Sequence, residues 1–221
     1  MKRVVTSELL DSDLGTPTEI SGSLADLRMI NTWFGGVATT ESLLERAAAA
    51  SGVKKLSVLE VAAGSGFVPN KIRERLQRRG TNVAITLLDR AASHLNGNRN
   101  SVVGDALHLP FGDATFDVVS CNLFVHHLAP EEVVRFVEEA LRVSTMAVAI
   151  NDLVRHPLHL AMVYAGFPLY RSRITRNDAP ASVLQAYTEP EIRLLLKQTT
   201  SSRIEISRHY LFRMGILAWK H

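Results

Sequence analysis

Cysteine is nearly absent from this sequence, with Cys121 the only one. An internal disulfide is therefore excluded, a cysteine-based zinc site goes with it, and a reducing, cytoplasmic setting is expected. No metal is expected at all. Long apolar runs are missing too: none approaches the roughly 20 residues that a membrane helix requires. The opening Met1-Lys-Arg-Val-Val-Thr-Ser-Glu8 turns acidic too early for the core of a signal peptide, so no membrane insertion is expected. Charge of one sign is lacking as well. The 25 Lys and Arg are nearly matched by 22 Asp and Glu, leaving a net charge of +3. Arg78-Arg79 and the trio Arg171, Arg173 and Arg176 are local, and no basic stripe interleaved with aromatics appears. They read as solvated surface, and no nucleic-acid partner is expected.

What is present suits one sizeable core. The chain has 221 residues, 46% of them hydrophobic and 21% charged, with no internal repeat. Residues 40–50 are rich in helix formers and meet a stop at Gly52; residues 68–79 carry helical periodicity and meet Gly80. Between and after them lie short apolar runs at 56–61, 83–88, 102–103, 116–121 and 146–150, with another helix at 130–142. Strands alternating with helices predict βαβ units, hence a doubly wound α/β fold with a mainly parallel, seven-stranded sheet. After a helix at 189–198, the runs at 203–208 and 210–219 are too close for a parallel crossover and predict a closing antiparallel hairpin.

In such a sheet ligands bind beyond the carboxyl ends of the strands. The first junction reads Leu59-Glu-Val-Ala-Ala-Gly-Ser-Gly-Phe67. Gly64 and Gly66 permit a tight turn and a close backbone approach, and the start of the next helix suits a carboxylate or phosphate. A dinucleotide fingerprint needs glycine three positions after Gly66, where Pro69 stands instead. Glu60 suits a cation such as an amino acid's ammonium group. Asp89 ends the second strand, where a carboxylate can accept ribose hydroxyls, and Asp105 ends the third, where it can accept an adenine amino group. Asn122 follows the fourth. Each could alone be a turn residue; four at consecutive strand ends argue for a ligand.

Together Val58–Gly66, Leu87-Leu-Asp89, Gly104–Phe111 and Phe116–Leu128 resemble the class I S-adenosylmethionine-dependent methyltransferases over residues 56–152. The resemblance implies S-adenosyl-L-methionine as cofactor, with Glu60, Gly64 and Gly66 around its methionine part, Asp89 at the ribose, and Asp105 with Ala106 at the adenine. Ala62, Ser65, Arg90 and Asn122 complete the expected set. Ala62 departs from the family, which usually has glycine there, and a slight shift of the loop is expected. The His-His-Leu ending and the insertion after strand five are similar to the small-molecule branch, which includes quinone-type and phenol O-methyltransferases.

The chain is accordingly expected to be a single domain over 1–221. Residues 1–50 form a helical cover, 56–152 the cofactor-binding core, 153–188 a helical insertion, and 189–221 the final helix and hairpin. The acceptor is expected to be a small molecule bearing an aromatic or quinone-like hydroxyl, with His127 as general base. Trp33, Phe34, His126, Arg155 and His156 are the expected acceptor-binding residues, and Gly35-Gly36 is either a hinge or a helix-ending turn. A nicotinamide-dependent oxidoreductase, a nucleic-acid methyltransferase and a non-catalytic cofactor binder are the alternatives.

Overall fold

Apolar runs too short for helices and bounded by glycine or aspartate become buried strands. The computed structural model describes residues 1–10, 15–93, 95 and 100–221. Strands β1 (Lys55–Val61), β2 (Asn82–Asp89), β3 (Ser101–Val103), β4 (Phe116–Asn122) and β5 (Ser144–Leu153) run parallel in the order β3-β2-β1-β4-β5. β6 (Arg203–His209) and β7 (Arg213–Trp219) extend the sheet as β5-β7-β6, both pairings antiparallel. The result is the expected seven-stranded sheet with its closing hairpin.

Pleating sends alternate residues of each strand to opposite faces. Leu59, Val61, Val119 and Ile150 pack on one side with Val133, Phe136 and Val137 of α4 (Pro130–Val143) and Ile192 of α7 (Glu189–Leu196). Val58, Val83 and Val118 pack on the other with Leu43 and Leu44 of α2 (Gly36–Ser51) and Ile72 and Leu76 of α3 (Phe67–Arg78). Each fully buried aliphatic side chain contributes about 1.5–3 kcal/mol. Among the described residues, no helix is long and apolar enough to cross a membrane.

Two local expectations are corrected, and a third is decided between its alternatives. The second hairpin strand begins at Arg213 rather than Tyr210, because Leu211 (φ 51°) and Phe212 (φ 61°) take left-handed backbone that interrupts pairing. Residues 1–10 are not helical; the first helix, α1, spans Pro17–Trp33 with Thr16 and Glu19 as its capping box. That leading segment is tied to α6 (Arg173–Gln185): Val4 N donates to the Leu184 carbonyl (3.1 Å), and Leu9 and Leu10 N donate to the Asp178 carboxylate (2.9 and 3.0 Å). Finally, Gly35-Gly36 is a packed turn. Gly35 is left-handed (φ 82°) against the Tyr210 carbonyl, and a Cβ at Gly36 would overlap Asn31. Between β5 and α7 lie α5 (Pro157–Ala165), a single 3-10 turn at Phe167–Leu169, and α6.

The loop from β1 to α3 carries a strained position. Ala62 adopts φ 53°, a conformation that costs a residue with a Cβ about 1–2 kcal/mol. Ala62→Gly should therefore raise stability by about 1 kcal/mol after the entropy of glycine is deducted, or roughly 2–4 °C in Tm for a chain of this size. Calorimetric melting checks this; a lower Tm would mean that the Ala62 methyl group contributes packing that outweighs the strain.

Candidate active site

Parallel pairing puts the loops after β1, β2, β3 and β4 at one edge of the sheet, and there they surround a cavity of about 660 Å³. That volume lies within the range of small-molecule and cofactor pockets. Glu60, Ala62, Gly64, Ser65, Asp89, Arg90, Asp105, Ala106, Asn122, His126 and His127 all line it. Eleven of the sixteen expected site residues are thus brought together.

Glu60 is one residue from the end of β1, where the sheet covers both its sides, and it is only 2% exposed. Burial pushes its carboxyl up to about 7, against a smaller opposing effect of the Ser120 hydroxyl, which donates to it. Its bonding partner is neutral, so a ligand cation would favour the ionised form. Just beyond, Gly64 (φ 52°) has nothing within 4 Å of where a Cβ would sit, leaving its backbone open to a ligand. Gly66 does not line the cavity. Its left-handed backbone (φ 68°) starts α3, and a Cβ there would meet Leu87 Cδ1 at 2.7 Å. The α3 N-terminus has no side-chain cap, so its first-turn N–H groups suit an anion.

Asp89 does more than face the cavity. Its Oδ2 accepts from Gly64 N (2.8 Å) and its Oδ1 from Ala91 N (3.0 Å), so it braces the glycine loop against the end of β2. Asp105 is more exposed, and its Oδ1 accepts from Leu107 N (2.9 Å) while Oδ2 lies 3.3 Å from His108 Nδ1. The Leu107 N–H, then His108, hold its carboxyl below the usual range despite partial burial.

Asn122 lines the cavity, yet its amide is largely committed. Its Oδ1 accepts from Asn151 Nδ2 (2.8 Å) and its Nδ2 donates to Asn31 Oδ1 (3.2 Å), which also accepts from Arg213 Nη2 (3.1 Å). Asn151 donates further to the Gly36 carbonyl (2.8 Å) and Thr40 Oγ1 (2.9 Å). Burial pulls the enclosed Arg213 guanidinium down to about 10. This network fastens the α1–α2 turn over the strand ends.

The far side of the cavity holds the 3-10 turn Val125–His127. His126 is buried; its backbone N–H and its Nδ1 meet the two oxygens of Asp152 at 3.0 and 2.6 Å. Burial would lower its pKa, but the Asp152 carboxylate, and then Glu8, outweigh burial and raise it to about 10. The His127 ring lies against it at a tilt of 33°, centroids 4.1 Å apart, with a fifth of its side chain exposed.

The structure removes Trp33, Phe34, Arg155 and His156 from the cavity wall. Trp33 is 73% exposed, and Phe34 ends α1 with its carbonyl accepting from Arg213 Nε (3.3 Å). The Arg155 guanidinium is spent on the Met1 and Ala186 carbonyls (3.0 and 2.6 Å) and on Glu191 (2.5 Å). His156 caps α5 by accepting from Leu158 N (3.1 Å), and its ring stacks on Phe212. In their place stand residues that the sequence reading did not select: Glu8, and Leu24, Leu27, Arg28 and Asn31 of α1. The position of Asp152 at the carboxyl end of β5, beside the end of β4, was the one available signal for His126's partner.

Residues 59–145 match the family model described as a methyltransferase domain. No curated protein matches the chain. Among solved structures, the plantazolicin methyltransferase BpumL, in complex with a monoazolic desmethylPZN analog and SAH, is 14% identical with a TM-score of 0.73; the match covers 96% of this chain and 93% of that one. Human N-acetylserotonin methyltransferase, in complex with SAM, is 14% identical with a TM-score of 0.62, covering 88% of this chain and 53% of that one. A SAM-dependent methyltransferase from Aquifex aeolicus is 20% identical with a TM-score of 0.53, covering 80% and 89%. At these identities the structural likeness speaks for the fold, and the domain match speaks for the activity. Residues 59–145 form a methyltransferase domain with S-adenosylmethionine as its cofactor, set in a Rossmann-like seven-stranded fold.

Proposed function

We propose that this chain methylates a hydroxyl of a small aromatic or quinone-like molecule, as a member of the small-molecule branch of class I methyltransferases working in the cytoplasm. The carrying observation is that a buried carboxylate with an open glycine loop and a partly exposed histidine line the same cavity. The names of BpumL and human N-acetylserotonin methyltransferase refer to small-molecule methylation, which supports an acceptor of that size. The single cysteine, buried and unbridged, fits a reducing compartment.

In this reading Glu60 takes the donor's ammonium group, and the backbone of Ala62, Gly64 and Ser65 with the start of α3 takes its carboxylate. Gly66 keeps that loop in shape. Asp89 and Arg90 hold the ribose, Asp105 and Ala106 the adenine, and Asn122 fixes the wall between donor and acceptor. When bound, the donor supplies a methyl group already activated as a sulfonium, so the chain needs no covalent nucleophile. Its remaining tasks are to align, to exclude water and to receive a proton. Leu24, Leu27 and Phe124 give the acceptor side apolar surface. His126, held by Asp152, is a fixed positive group beside the acceptor; His127 is the base that takes the hydroxyl proton.

A screen of phenolic and quinol acceptors with labelled S-adenosylmethionine, read by mass analysis, should give a singly O-methylated product. Label found only in nucleic acid or protein would overturn the acceptor class. His127→Ala should lower turnover by roughly two to four decades with cofactor affinity nearly unchanged; near-normal turnover would make this histidine structural.

Donor affinity should also depend on pH through Glu60. Its carboxyl titrates near 7 in the free protein, above its ordinary 4.5. Raised in the folded state, it makes folding costlier as pH rises from its unfolded value toward 7. Binding an ammonium requires the ionised form, so S-adenosylhomocysteine should bind roughly tenfold tighter at pH 8 than at pH 6. Glu60→Gln should bind weakly at both. A flat wild-type profile by calorimetry would separate Glu60 from the ammonium.

A further inference from the structure

Glu8, His126 and His127 are far apart in sequence except for the adjacent histidines, yet all three line the acceptor side of the cavity. One metal-ligating atom from each lies within 4.8 Å of the other two. His126 Nε2 is buried without a hydrogen-bond partner and stands 3.7 Å from Glu8 Oε1, and His127 Nδ1 stands 3.9 Å from the same oxygen. A tetrahedral ion with bonds of about 2.0–2.1 Å needs its donors about 3.3 Å apart. The two Glu8 pairs therefore need to close by roughly half an ångström, and the histidine pair, which lies within 4.8 Å, by at most about 1.5 Å.

The surroundings have the pattern that orients metal ligands. Histidine ligands commonly give their second ring N–H to a carboxylate, which fixes the tautomer and turns the other lone pair toward the ion. Asp152 Oδ1 lies 2.6 Å from His126 Nδ1 and does this for Nε2. Ser182 Oγ (2.7 Å) and Gln185 Nε2 (2.6 Å) both donate to Glu8 Oε1, so they fix the carboxylate in place, and ligation by it requires Oε1 to give up one of these bonds or Oε2 to turn in. Arg3 anchors the segment that carries Glu8, donating to the His126 and Leu128 carbonyls (3.0 and 2.9 Å). Binding an ion at Nε2 displaces the second ring proton of His126, and the divalent cation then supplies the positive charge that faces the Asp152 and Glu8 carboxylates.

We propose that Glu8, His126 and His127 form a binding site for a divalent transition metal of the zinc class, with its open coordination position facing the acceptor cavity. Three protein ligands of nitrogen and oxygen with a fourth position free is the arrangement of catalytic rather than structural zinc. An acceptor hydroxyl coordinated there would release its proton to solvent near neutral pH, His127 would serve as ligand rather than base, and His126 would yield its Nε2 proton to the ion instead of remaining a fixed cation. That role rests on the acceptor reading above, whereas the binding of the ion does not.

The test uses the untagged full chain, stripped with chelator and titrated at pH 8 with cobalt and then zinc. The expected results are a visible cobalt band of tetrahedral type, about one ion retained per chain, and displacement of the band by zinc. Glu8→Gln and His127→Gln, each checked for an unchanged melting profile, should weaken binding at least roughly tenfold. Absence of a cobalt band at equimolar metal, or affinity unchanged in both variants, would overturn the site. S-adenosylhomocysteine binding measured on the same samples keeps the two readings apart: metal without cofactor would sink the donor assignment and leave the metal site standing.

Discussion

Everything at the active end of this molecule depends on one constraint of parallel sheets. Five strands that point the same way must deliver their outgoing loops to the same edge. The order β3-β2-β1-β4-β5 then makes the chain depart in opposite directions from the central pair, and a crevice opens between the loops of β1 and β4. The cavity occupies that crevice. Its glycine loop is held in position by the Asp89 carboxylate at the end of β2, gripping the Gly64 N–H across neighbouring strands. A residue expected to meet the ribose thus also sets the shape of the loop expected to meet the methionine.

Buried charge distinguishes the two halves of the cavity. At one end Glu60 sits within the sheet beside a neutral hydroxyl, an arrangement that disfavours its ionised form and that a ligand cation would relieve. At the other end the charge is already compensated, as Asp152 and Glu8 flank His126. A buried pair of this kind is weak evidence of stabilisation, because desolvation offsets most of its attraction. Its position on a cavity wall argues for function instead. Arg213 is the structural counterpart: fully enclosed, it joins the α1–α2 turn to the ends of β4 and β7 through Asn31 and Phe34.

How much of this was legible in the sequence follows from the range of the interactions. Glu60, Gly64, Asp89, Asp105 and Asn122 could be read because each sits at a strand end, and strand ends are marked locally by an apolar run followed by a polar or glycine residue. Ala62 could be flagged for the same reason, and its left-handed backbone shows why glycine suits that place. The acceptor wall carried no such signal. Trp33 has the look of a binding aromatic, but the packed turn at Gly35-Gly36 leaves it outside, and Arg155 is consumed by carbonyls that only the tertiary fold brings near. Glu8 was invisible for the converse reason: a lone acidic residue in an irregular leading segment acquires meaning only when α6 and the 3-10 turn receive it. The hairpin was readable in kind, while its start at Arg213 depended on two left-handed residues without glycine.

The account stands on the donor half of the cavity, and titration calorimetry of the purified chain with S-adenosylhomocysteine and, separately, with NAD addresses it most directly. The account predicts about one S-adenosylhomocysteine per chain, with affinity falling by one to two decades in Asp105→Ala as a charged hydrogen bond of roughly 1.5–3 kcal/mol is lost, and no heat with NAD. NAD binding more tightly than S-adenosylhomocysteine would contradict it.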